Sequence, residues 1–173
     1  MTTPITDAAR KSMKPSRRDL EVTAYHEAGH AFAAYILGRA FTRVSIRADD
    51  STLGRCSFRT PGEWFRPDLR IDGPTRRRLE ERMMISLAGP EVESLHTGRY
   101  DRDAAQEDID RAIDHACYMS GDPLEASAYV EWLRIRTVNL LKRPETRPSL
   151  EALVARLLAR EEVRYRHAKR ILD

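Results

Sequence analysis

In "AYHEAGHAFAAYIL", residues 24–37, His26 and His30 stand four residues apart with Glu27 between them. Positions i and i+4 of a helix lie about 40° apart around its axis, one turn above the other, so both imidazoles can reach one ion. Glu27 sits about 100° round from His26. That makes it a poor third ligand but sets its carboxylate beside the ion, where it can take a proton from bound water. A zinc ion lowers the pKa of its water towards neutrality, and a neighbouring glutamate can pass the proton on to a leaving amine. The pattern is the HExxH arrangement of zinc hydrolases. The alternative is that His26 and His30 are ordinary histidines, buried or at the surface.

Gly29, inside the same run, costs about 1 kcal/mol relative to alanine in a helix interior, so close approach of another helix is expected there. A third ligand must come from elsewhere in the chain. The metzincin extension fails, because its glycine position is Ala33 and its histidine position is Ile36. A thermolysin-like glutamate about twenty residues on would fall at Asp49 or Asp50, in a turn-rich segment. A helix expected from about Asp103 to Ser120 offers more. Its apolar residues Ala105, Ile109, Ala112, Ile113 and Ala116 define one face, and Asp108 lies on that face. A carboxylate on a core-facing stripe is costly unless it is paired or bound to a cation. Asp108 is therefore the acid most in need of a metal, with a salt bridge or helix cap as the other reading.

The elements that must position these residues can be read from the pattern. Ser16, followed three residues later by Asp19, opens the first helix as a capping box, and Gly38 closes it. "RVSIRADDSTLGRCSFR" alternates Val44/Ile46 and Cys56/Phe58 around a turn, which predicts a short hairpin. "TPGEWFRPDLRIDGPT" reads as loop. Trp64 and Phe65 within it are a substrate lip, a partner contact or core. A second helix opens at Thr75 and carries Leu79, Met83, Ile85, Leu87, Ala88 and Val92 at helical spacing, with a kink or break expected at Pro90. "PLEASAYVEWLRIRTVNLLK" and "SLEALVARLLAREEVRYRHAKRIL" predict a fourth and a fifth helix. The fold class is mainly α with a small β-hairpin next to the HExxH helix.

The chain has 173 residues, 33% charged and 41% hydrophobic, which suits one water-soluble globular domain over residues 17–173 behind a flexible tail at 1–16. The longest apolar run, "AFAAYIL", falls well short of the roughly 20 residues a spanning helix needs, so no membrane association is expected. The start lacks the apolar stretch of a secretory signal. Cys56 and Cys117 form no CxxC pair and suit a reducing cytoplasm. The net charge of +3 is spread among acids except at Arg76, Arg77 and Arg78, a run read as a solvated helix face in preference to a nucleic-acid contact.

Taken in order, these segments resemble the peptidase domain of the FtsH family, the ATP-dependent zinc proteases. "AYHEAGHA" matches the family's HExxH helix, "RVSI" and "STLG" the strand and step after it, "AGPEVESLHTG" a helix end, and "EDIDRAIDHA" an acidic helix, across about residues 20 to 160. The resemblance implies His26, His30 and Asp108 as zinc ligands, Glu27 as catalytic base, and Glu93 as a residue that orients a ligand histidine. It also implies an FtsH-peptidase-like helical fold. No membrane helix and no GxxxxGK[ST] sequence precedes the domain, so a stand-alone unit is expected. "DRDAAQ" replaces the family's "TGA" before the aspartate, and Pro90 and Glu91 replace small or basic residues. These departures bear on the substrate channel and on hexamer formation, and leave the zinc chemistry intact. The expected activity is zinc-dependent hydrolysis of peptides or unfolded protein segments, with a separate ATPase and a homo-oligomer as the partners the resemblance brings in. The alternative is a non-catalytic or partner-dependent module in which zinc staples two helices.

Overall fold

A computed structural model describes residues 15–47, 54–60 and 62–173. Residues 1–14 of the expected tail and the turn containing Asp49, Asp50 and most of "STLG" lie outside the described residues.

Helix α1 spans Arg17–Ile36. Ser16 accepts from the Asp19 amide while the Asp19 carboxylate accepts from the Ser16 amide, so the expected capping box is present. Leu37 caps the other end and Gly38, at φ 68°, turns the chain out of the helix. Every residue from Glu27 to Ala34 is buried. A helix buried on all sides runs through a core rather than over it, and α1 is the axis on which the other layers pack.

Strands β1 (Phe41–Ser45) and β2 (Arg55–Phe58) pair antiparallel, with Val44 opposite Cys56, as the alternation predicted. A third strand, β3 (Glu162–Arg164), pairs with the other side of β1, placing Val163 opposite Val44. The sheet order is β2-β1-β3. Residues 149–172 are therefore not one helix: α5 (Thr146–Arg160) ends at Glu161 in the left-handed region, φ 59°, and α6 (Tyr165–Leu172) follows the strand. The stop comes from backbone conformation and from pairing with a strand more than a hundred residues away, neither of which the local apolar spacing encodes.

Helix α2 (Gly73–Thr97) begins earlier than expected, capped by the Asp72 side chain on the Thr75 amide. It also runs through Pro90 without a break. Proline removes one hydrogen bond of the ladder, but Met83 to Val92 are all buried, and packing on both faces holds the helix across the gap. Helix α3 (Gln106–Cys117) is shorter than expected at both ends, and α4 (Pro123–Leu141) starts under an Asp122 cap. One core joins α1, the sheet, α5 and α6 through residues such as Phe32, Val44, Leu153, Leu157 and Val163. A second joins α2, α3 and α4 through Leu79, Met83, Leu87, Ala112 and Leu133. The fold is thus mainly helical with one small antiparallel sheet, and α2 belongs to both cores. No helix among the described residues is long and apolar enough to cross a membrane.

Candidate metal centre

Where α1 crosses α2, each helix gives way to the other at a glycine. A Cβ on Gly29 would stand 2.6 Å from the Ala88 carbonyl oxygen and 2.9 Å from Val92 Cβ, so the close helix approach expected from its sequence position is present. A Cβ on Gly89 would overlap the His30 ring and lie 3.0 Å from His26 Nε2. The absent side chain of Gly89 is the space the two imidazoles fill.

The two rings are fixed through their Nδ1 atoms. His30 Nδ1 donates to the Ile85 carbonyl at 2.8 Å. A carbonyl only accepts, so with His30 neutral its Nε2 carries a lone pair. His26 Nδ1 meets Glu93 Oε2 at 2.9 Å. Helix α3 brings Asp108 to the same point on its buried face, beside Ala112 and Ala116. Its Oδ2 lies 3.1 Å from His26 Nε2 and 3.4 Å from His30 Nε2, and the two Nε2 atoms are 3.1 Å apart. Arg111 Nη1 holds the other oxygen, Oδ1, at 3.0 Å, so the ion pair considered as the alternative for Asp108 exists alongside the convergence on the histidines.

Two imidazole nitrogens and a carboxylate oxygen facing one another in a closed site need a proton or a cation between them. The charge balance of the side chains says the same. Burial disfavours the charged form of His26, but the Asp108 and Glu93 carboxylates at its two ring nitrogens outweigh this and raise its pKa to about 10. Burial pushes the Asp108 carboxyl up, yet His30 and His26 more than reverse this and hold it well below the usual carboxylate range. The geometry matches zinc. With Zn–N and Zn–O bonds of about 2.0–2.1 Å, a tetrahedral site has donor–donor edges of about 3.3–3.4 Å, and the observed triangle has edges of 3.1, 3.1 and 3.4 Å. His26, His30 and Asp108 thus form a group that could hold a metal ion, with donor types and spacing that zinc accepts.

Glu27 lies beside this triangle, 7% exposed, and its Oε2 is buried without a hydrogen-bond partner among the described residues. Burial pushes its carboxyl above the usual carboxylate range, against the opposing pull of His30 and His26. An orphaned, basic carboxylate oxygen next to a cation site is poised to receive a proton. The neighbouring Cys56 thiol is pushed well up by burial and by Glu27, so it is neutral and packs as a small apolar group; Cys117 is exposed.

The centre opens into a cleft of about 410 Å³ between α2, α3 and β2. Its lining includes two residues that sequence reasoning missed as parts of the site, Arg78 and Arg82. Nothing in the sequence sets Arg78 apart from Arg76 and Arg77: the latter two are exposed as expected, while Arg78 is partly buried. Phe65 packs against the second core and Trp64 is half exposed.

No protein-family model matches the chain. Two curated relatives are similar to it. The ATP-dependent zinc metalloprotease FtsH of Thermus thermophilus is 38% identical over 89 residues, covering 50% of this chain and 13% of that protein. The ATP-dependent zinc metalloprotease YME1L1 of Mus musculus is 29% identical over 168 residues, covering 94% of this chain and 22% of that protein. The chain spans only a small part of the length of either, and its relation to the FtsH-type zinc metalloproteases is a distant one.

Proposed function

We propose that this chain is a zinc-dependent peptidase acting on peptides or unfolded protein segments. The observation that carries the reading is the convergence of His26 Nε2, His30 Nε2 and Asp108 Oδ2, with the unpartnered Oε2 of Glu27 beside it. His26, His30 and Asp108 would hold the zinc, which when bound would lower the pKa of a water and polarise a carbonyl. Glu27 takes the proton from the attacking water and returns it to the departing amine, a role suited to a carboxylate whose basicity burial has raised. Glu93 and the Ile85 carbonyl keep both imidazoles in the tautomer that presents Nε2. β2 is an edge of the sheet and lines the cleft, so its outer side can pair with an extended peptide and lay it across the centre.

The test is cleavage of casein by purified protein, blocked by a chelator and restored by zinc, with Glu27→Gln as the control. The expected result is about one zinc per chain in both proteins and turnover lowered at least a hundredfold in the variant. Full zinc occupancy with no cleavage by the unsubstituted protein would favour a regulatory or docking module. Undiminished cleavage by Glu27→Gln would remove the glutamate from the mechanism.

A further inference from the structure

Arg78 and Arg82 stand one turn apart on the same face of α2, and both line the cleft. Arg78 Nε and Nη1 and Arg82 Nε are buried without a hydrogen-bond partner among the described residues. Guanidinium donors left short of acceptors at buried atoms are costly, and the nearest acid relieves Arg78 only in part. Glu81 Oε2 is 3.8 Å from Arg78 Nη1, beyond hydrogen-bond reach, and is engaged by Arg39 Nε at 2.5 Å. Arg39 and Arg78 therefore share one carboxylate. Burial lowers the pKa of both Arg78 and Arg82, and for Arg78 the neighbouring Arg39 and Arg82 lower it further.

Arg82 is held in place by two neighbours. Its Nη1 donates to His115 Nε2 at 3.2 Å, and its guanidinium carbon lies 5.4 Å from the centre of the Phe65 ring. The Ile85 carbonyl that orients His30 lies one turn further along the same helix. The axial rise from residue 82 to 85 is about 4.5 Å and from residue 78 to 85 about 10.5 Å. An extended peptide advances about 3.3 Å per residue, so the two guanidiniums are level with groups about one to three residues from the metal centre.

We propose that Arg78 and Arg82 form an anchoring subsite that takes a carboxylate of the bound peptide, from an Asp or Glu side chain or from a free chain end, about one to three residues from the bond at the metal centre. This rests on the peptidase reading and adds a substrate preference to it. The guanidinium fork matches a carboxylate bidentately, and the two arginines line the cleft, where they face an arriving anion.

The test uses zinc-loaded Glu27→Gln protein and three fluorescent octapeptides of otherwise neutral sequence: one amidated with a single Glu scanned along it, one with a free carboxyl terminus, and one amidated and uncharged. One of the first two should bind roughly tenfold or more tightly than the third, about the size of one charge-assisted hydrogen bond. Which of the two binds identifies the source of the carboxylate. The preference should shrink with added salt and disappear in Arg78→Met and Arg82→Met, which keep the aliphatic stems, with zinc content and melting temperature unchanged. Equal binding of all three peptides, no binding of any, or a preference that survives both substitutions would overturn the subsite. Turnover of the uncharged peptide by unsubstituted protein tests the peptidase reading separately. Cleavage without preference sinks only the subsite, and Arg-dependent preference without cleavage sinks only the hydrolysis.

Discussion

Gly89 lies against His30 so closely that no Cβ fits between them, although the two residues come from different helices. Gly29, one position before His30, sits in the same way against Ala88 and Val92. The crossing of α1 and α2 and the placement of the imidazoles are thus one packing problem, and the metal centre depends on two missing side chains as much as on the ligands.

Replacing Gly89 by alanine should therefore damage the centre before it damages the fold. The methyl group must displace the His30 ring or part the helices, and overpacking of this kind costs about 1–3 kcal/mol. Zinc content, read by mass spectrometry on purified protein, should fall well below one per chain while the far-ultraviolet spectrum stays helical. Full zinc occupancy in Gly89→Ala would show that the rings have room to spare.

Glu93 lies 2.9 Å from His26 Nδ1, so on the zinc reading it would act on the metal through His26. In Glu93→Ala the imidazole loses its orienting partner and the electron density the carboxylate lends it, and zinc affinity should drop about 10- to 100-fold. Glu93→Gln keeps an acceptor without the charge and should lie between. Competition against a chromophoric chelator measures both, and an unchanged affinity in the alanine variant would leave Glu93 with no part in the site.

Much of this centre was legible in the sequence because its rules are local. The i, i+4 spacing of His26 and His30 and the position of Asp108 among small apolar residues are properties of single helices, as are the capping box at Ser16 and the stop at Gly38. The features that escaped depend on contacts between distant segments. β3 exists because Val163 meets Val44 across the sheet, while its own residues keep a spacing that a helix could also use. Pro90 reads as a breaker until the burial on both sides of it is known. Arg78 looks like one more member of a solvated run, and only the packing of α2 turns it inward.

The left-handed turn at Glu161 gives a stability prediction. A side chain at φ 59° meets a steric cost that glycine avoids, of about 1 kcal/mol or more. Among the described residues the Glu161 carboxylate pairs with Arg47 Nε at 3.2 Å, in a position where both side chains are largely exposed, and such pairs contribute little. Glu161→Gly should raise the denaturant midpoint, by up to about 1 kcal/mol in stability, because relief of strain exceeds the lost ion pair and is only partly offset by the greater freedom of glycine in the unfolded chain. A lowered midpoint would mean that the side chain does more at the α5–β3 junction than its contacts indicate.

His115 gives the acid limb of the pH dependence. Its Nδ1 donates to the Arg111 carbonyl and its Nε2 accepts from Arg82, so the structure holds the neutral imidazole. Burial lowers its pKa below 6.5, and the positive charges of Arg82 and Arg111 add to this. A histidine whose folded pKa is depressed binds its proton more readily in the unfolded chain. Its contribution to stability is therefore present above pH 6.5 and is lost as the pH falls through the folded value. Protonation also places an N–H against a guanidinium, so acidification should release Arg82 from its position over Phe65. A proton NMR titration of the His115 ring should give a pKa below 6.5, and in Arg82→Met the value should move back up. A pKa at or above 6.5 in the folded protein would show that Nε2 is not the acceptor that fixes Arg82.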